Sequence, residues 1–282
     1  MTWERFGYIC RKVSAGIGEN ESVSSCVARV EKGESCALYG KRLDRLSLPK
    51  KILDQIGSFD NKDRALSALS IYKGLNLPEK FEEPMRFKRV VAYLSYVTFV
   101  FYIVVGIYQV KVAPTFLNAF ENFELSIPSY LGWYQDYWGY FVLVVSILLI
   151  SSLVIGHHLR KIFRFELDIE NCFVLKYMVF RSIRTSYMKV IDILQFPITR
   201  TDEKNRSTTS ELSRHLQEVE ASNMSIADEM QELLRVEMRF LLERCEQQMK
   251  YISVLVALVV VSAIFFFLAS AYSPIFVLGE TI

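Results

Sequence analysis

The sequence predicts an all-α membrane protein with three transmembrane helices and two small cytoplasmic helical-bundle domains. Three observations carry that prediction. Residues 90–110, 138–156 and 251–270 contain no Asp, Glu, Lys, Arg or His, and about 20 such residues suffice for a helix to cross a hydrocarbon core of ~30 Å. Outside those runs, apolar residues recur at helical spacing between Gly and Pro breakers. Lys and Arg cluster on one side of the runs in chain order, as they do on the cytoplasmic flanks of membrane spans. The composition agrees: 51% hydrophobic residues is high for a soluble domain, and 23% charged is too many for a wholly embedded chain.

The middle run gives the direction. Trp133, Tyr134, Tyr137, Trp138 and Tyr140 crowd its start, and His157, His158, Arg160, Lys161 and Arg164 follow its end. Aromatic residues favour the interface, and basic ones stay in the cytoplasm. Before the first run, 1–89 is expected to be the first cytoplasmic helical domain. It carries breakers at Gly16, Gly18, Gly33, Gly40, Pro49, Gly57, Gly74 and Pro78, with Ile52, Gln55, Ile56 and Phe59 and then Leu66, Leu69, Ile71 and Tyr72 at helical spacing. The first long apolar run begins at Val90, too late and too long for a cleaved leader, so no signal peptide is expected.

The connector 111–137 has one basic residue, Lys111, against Glu121, Glu124 and Asp136. Between Pro114 and Pro128, the residues Phe116, Leu117, Phe120 and Phe123 form an amphipathic stretch. It is either an interfacial helix packed on its own spans or a surface that touches another membrane subunit. The second cytoplasmic domain is expected over 157–250. Its part from Phe163 to Phe196 is apolar but interrupted by charge, which suits buried or membrane-skimming helices. Residues 199–210 form a polar linker. From Met230 the stripe Leu233/Leu234, Met238, Leu241/Leu242, Cys245 and Met249 runs without Gly or Pro into the third span. One long helix from near Ala227 is therefore expected, with a flexible hinge at Lys250 as the alternative. Pro274 is expected to end it, leaving a tail at 271–282.

Basic residues decide the topology. Lys80, Arg86, Lys88 and Arg89 precede the first span, Arg160, Lys161 and Arg164 follow the second, and Arg235, Arg239, Arg244 and Lys250 precede the third. The N-terminus and 157–250 are expected inside, and 111–137 and 271–282 outside. Net charge is only +2, and no basic patch interleaved with aromatics suggests nucleic acid.

Residue patterns that signal chemistry are few. Cys10, Cys26, Cys36, Cys172 and Cys245 show no C-x-x-C pairing and read as reduced structural thiols. His157 and His158 are a ligand pair or interfacial anchors, but neighbours on a helix face different sides. Phosphate-binding glycine loops and a nucleophile elbow are absent from the sequence, and uncharged spans argue against a proton or ion pathway. Ser152/Gly156 and Ser253/Ala257 have the spacing of close helix packing, within the bundle or between copies.

Three motifs carry a resemblance. Ala15-Gly16-Ile17, Gly33-Glu34-Ser35 and Leu48-Pro49 lie in the first domain. Val112-Ala113-Pro114-Thr115-Phe116, with Phe120, Phe123, Leu125 and Pro128, fills the connector. Ser273-Pro274-Ile275-Phe276-Val277-Leu278-Gly279 forms the ending. Together with the order of spans, they resemble the GspF/PilC family, the inner-membrane platform proteins of type II secretion systems and type IV pili. The family-motif positions are Gly16, Gly33, Glu34, Pro49, Pro114, Phe116, Pro128, Pro274, Phe276 and Gly279. The resemblance implies a non-enzymatic platform in the bacterial inner membrane, with the N-terminus cytoplasmic and the C-terminus periplasmic. It would couple a cytoplasmic assembly ATPase to pilin or pseudopilin subunits alongside other inner-membrane assembly proteins and membrane lipid, as a homo-oligomer without cofactor or metal. The competing expectation is a structural subunit of another membrane transporter or exporter.

Overall fold

The computed structural model describes residues 2–19, 21–40, 42–45, 47–77, 85–122, 129–163, 165, 173–200 and 211–281. Among them every regular element is a helix. In chain order these are α1 (Thr2–Gly16), α2 (Val23–Lys32), α3 (Glu34–Ala37), α4 (Leu48–Gly57), α5 (Lys62–Gly74), α6 (Met85–Ile107), a π turn (Tyr108–Val112), α7 (Ala113–Asn122), α8 (Ser129–Ile162), α9 (Phe173–Tyr177), α10 (Arg181–Thr199), α11 (Glu211–Ala221) and α12 (Ile226–Thr281). The chain divides into two compact units, 1–83 with 158–245, and 84–157 with 246–282. The segments expected as two helical domains, 1–89 and 157–250, thus contribute together to one unit.

Local signals explain where the helices of the first unit start. Ser22 caps α2 by accepting the Ser25 N–H at 3.2 Å, and Asn61 caps α5 by accepting the Asp63 N–H at 2.8 Å. Pro49 sits in the first turn of α4, where its missing N–H would have no helical partner anyway. Each helix then buries one stripe. Trp3, Phe6, Ile9, Cys10 and Val13 of α1 pack with Ala65, Ala68, Leu69 and Tyr72 of α5 and with Ile52, Leu53 and Ile56 of α4. Phe6 meets Tyr72 edge-on at 5.3 Å.

The later segment completes this core. Ile183, Tyr187, Val190, Ile193, Leu194 and Phe196 of α10 are buried, so the buried reading holds for this helix. The Tyr72 hydroxyl donates to the Leu194 carbonyl, and Arg200 ties Ser67 of α5 to Glu220 of α11. The expected stripe is present in α12, where Met230, Leu234, Met238, Leu241 and Cys245 are buried. Arg244 donates to the Ser186 hydroxyl at 2.6 Å and the Ser182 carbonyl at 2.9 Å. Lys189 pairs with Glu237 at 3.3 Å.

At the end of α8 the chain turns sharply. Phe165 adopts φ 54, a left-handed conformation rare for a non-glycine residue. Its N–H donates to Ile162 and its carbonyl accepts the Leu48 N–H. The ring is 2% exposed. It lies edge-on to Trp3 at 5.6 Å and stacks on Tyr187 at 5.6 Å.

The second unit holds the apolar runs. Stretches Arg89–Asn122, Asp136–Ile162 and Ile226–Leu268 lie in helices long and apolar enough to cross a membrane. Their buried seams are Leu94, Phe101, Val105 and Tyr108, then Val145, Leu149, Ser152 and Gly156, then Met249, Val256, Val260, Ala263 and Phe267. Ser95, Thr98 and Ser152 return their hydroxyl protons to carbonyls of their own helices, as apolar surroundings require.

The helices extend beyond the expected spans, and one expected end is absent. α8 begins at Ser129, so the span expected over 138–156 lies inside a longer helix. The connector stretch is helical as α7, reached through a π turn in which the Ala113 N–H bonds to Tyr108. Pro114 follows at once; it lacks a donor and crowds the carbonyl four residues back, and the widened turn is where the helix absorbs that defect. Pro274 does not end the third helix, since α12 continues to Thr281. A proline removes one bond of the ladder, and a helix in apolar surroundings survives it. The linker 201–210 lies outside the described residues. α12 is helical through Lys250, a single element of 56 residues.

Phe165→Ala should lower stability by about 3–5 kcal/mol through loss of a fully packed ring. Phe165→Gly should be about 1 kcal/mol better than the alanine variant, because glycine accepts the left-handed backbone. Thermal melts of the purified protein check the order wild type, glycine, alanine; two variants as stable as wild type would contradict it.

Candidate functional site

The motif residues of the first unit are scattered over helix ends. Gly16 is the last residue of α1, with open space around it. Gly33 links α2 to α3 with extended backbone, and a Cβ there would come to 3.3 Å from the Val30 carbonyl. Glu34 is exposed in the first turn of α3, whereas Pro49 is buried in α4.

Charged residues beside them form the polar framework of this region. Arg5, 4% exposed, donates to the Gly40 carbonyl at 2.8 Å and the Glu31 carbonyl at 2.9 Å. Gly40 presents its carbonyl from φ 104, where a side chain would be strained. The Glu31 carboxylate takes Lys50 at 2.9 Å, and Lys50 also reaches Asp54 at 3.2 Å. A cleft of about 320 Å³ between α2 and α4 is lined by Ser24, Val27, Glu31, Lys50, Asp54 and Gly57. Its one cation is already matched by two carboxylates, an arrangement suited to packing or docking.

The thiols are buried. Cys10, Cys26, Cys36 and Cys245 form no disulfide, and burial pushes the Cys10, Cys26 and Cys36 thiols upward. These three stay protonated and poorly nucleophilic. Cys172 lies outside the described residues. Among the described residues no three His, Cys, Asp or Glu side chains gather closely enough to hold a metal. His157 and His158 sit side by side at the end of α8, about 100° apart around it.

In the second unit, Pro114 is exposed and Phe116 follows it on α7. Pro274, Phe276 and Gly279 lie in the last turns of α12. Pro128 lies outside the described residues. Of the small pairs, Ser152 and Gly156 mark a crossing of three helices. A Cβ on Gly156 would come within 3.0 Å of Val91 on α6 and 3.4 Å of Met249 on α12. Ser253 and Ala257 are only half-buried. An apolar cleft of about 420 Å³ opens between α8 and α12, framed by Trp133, Tyr137, Trp138, Phe141, Leu258 and Phe266.

The fold and these sites define a class: among the described residues the chain is all-helical, with three helices long and apolar enough to cross a membrane. Comparison with models of known protein families, with curated proteins and with solved structures finds no match for the chain.

One group escaped the sequence reading. Asp192 on α10 is half-buried, and burial raises its carboxyl above the ordinary range. Only its spacing beside Ile191 and Ile193 hinted at this. The ionised form is disfavoured in the folded chain but not in the unfolded one, so ionisation opposes folding at neutral pH. Asp192→Asn should therefore raise Tm at pH 7. The gain should vanish below the unfolded carboxylate value of about 3.9. Melts across that range check it; a loss of stability at pH 7 would show that the carboxylate is needed.

Proposed function

We propose that this chain is the platform protein of a type IV pilus or type II secretion machine in a bacterial inner membrane. In this role it couples a cytoplasmic assembly ATPase to the insertion of pilin or pseudopilin subunits, as a homo-oligomer and without catalysis of its own. One observation supports the reading: three helices are long and apolar enough to cross a membrane. Three crossings would leave 111–137 and the C-terminal turns of α12 on the same side, and both carry the motifs that resemble the GspF/PilC family. The same parity puts 1–89 and 157–250 together on the opposite side, where eleven of the flanking Lys and Arg residues fall. That side is the cytoplasm, where an ATPase would act, and the other is the periplasm, where filaments would grow. A helical unit built from both cytoplasmic segments supports a scaffold, since a force on either segment is shared by both.

Deletion of the gene is expected to abolish filaments or secretion while the subunits remain processed and stable in the inner membrane. Purified protein is expected to hydrolyse no nucleotide. Normal filaments and secretion in the deletion strain, with loss of uptake or export of a small solute instead, would contradict the platform reading and favour a transporter subunit.

A further inference from the structure

We propose that α9 and the start of α10 anchor the first unit to the lipid surface, with their aromatic rings at the boundary between headgroups and acyl chains. Phe173 is 66% exposed, Tyr177 65% and Phe180 46%, and Met178 adds a further 37% exposed apolar side chain. Single exposed apolar residues are ordinary. Four within eight positions, in a unit that buries most of its other rings, call for a cover. The Phe173 and Tyr177 rings lie 4.7 Å apart, and the Lys176 ammonium stands 5.4 Å from the Tyr177 ring centre. Arg181, also exposed, opens α10. Rings with an apolar body and a polar edge, flanked by Lys and Arg, are the chemistry of the membrane interface.

The chain itself commits the occupant to lipid. Phe173 follows the end of α8 at Ile162 by eleven residues, and that length spans at most about 40 Å. α8 carries an apolar run long enough to cross a bilayer. The rings are therefore tethered to the leaflet from which that run emerges. Glu166, Asp168 and Glu170 lie between, outside the described residues, and offset the two cations. Ring burial accordingly carries the contact, with charge attraction a minor addition.

Depth measured by spin labels tests this on the full-length chain in vesicles of phosphatidylethanolamine and phosphatidylglycerol. Tyr177→Cys is made in a Cys172→Ser background and labelled with a nitroxide, the four described native thiols being buried. Leu38→Cys, at a residue 85% exposed, is the reference. At position 177 the ratio of collisions with oxygen to those with a water-soluble nickel chelate should rise above the ratio at position 38. A ratio equal to that reference would put the segment in water and overturn the proposal. Low collision rates with both reagents would mean a protein cover, which overturns it equally. Phe173→Cys, labelled in the same way, repeats the reading if the Tyr177 variant fails to fold.

Discussion

The turn at Phe165 is the constraint on which the helical unit depends. A phenylalanine with φ 54 holds an unfavourable backbone by about 1–2 kcal/mol, and it persists because its ring is gripped between Trp3 and Tyr187. The same residue gives its carbonyl to the first turn of α4. One residue thus joins α1 and α10 through its ring and α4 and α8 through its backbone. Burial of a Phe side chain contributes about 1.5–3 kcal/mol, enough to outweigh the backbone strain. Through this junction 1–83 and 158–245 share one compact unit. Arg5, Tyr72 and Arg200 extend the junction with bonds that cross between helices far apart in sequence.

The apolar helices follow a different logic. Between helices apolar enough to cross a membrane, lipid would remove the hydrophobic advantage of contact and leave close approach and dispersion to hold them together. Gly156 supplies the approach, with Val91 and Met249 against it. Tyr108 stacking on Phe267 at 4.9 Å supplies contact between α12 and the helix preceding α7. Serine and threonine hydroxyls remain within their own helices, leaving the exposed faces apolar.

Much of this was legible in the sequence, for local reasons. The spans stand out because length and absence of charge are properties of a single stretch. The stripe from Met230 to Met249 stands out because helical period is local too, and Pro49 marks a helix start by its missing donor. Pairing of 1–83 with 158–245 leaves no such mark: Tyr72 and Leu194 are far apart in the chain, and nothing in either neighbourhood names the other. Pro274 misled because the soluble rule for proline weakens in apolar surroundings. The motif residues Gly16, Gly33 and Pro49 could be found from their pattern, but their pattern did not tell that they lie at separate helix ends. Asp192 hides within an ordinary apolar–polar sequence, and only the fold half-buries it.

Contacts around the Phe165 turn make the two segments one cooperative unit. Amide hydrogen exchange of the full-length protein, followed through increasing denaturant, tests it most directly. Cooperative units exchange together at a shared opening free energy. Helices α1, α4 and α5 should lose protection at the same denaturant concentration as α10 and the first half of α12. Protection lost from α10 and α12 while α1 and α5 remain intact would show two independent domains and contradict the account.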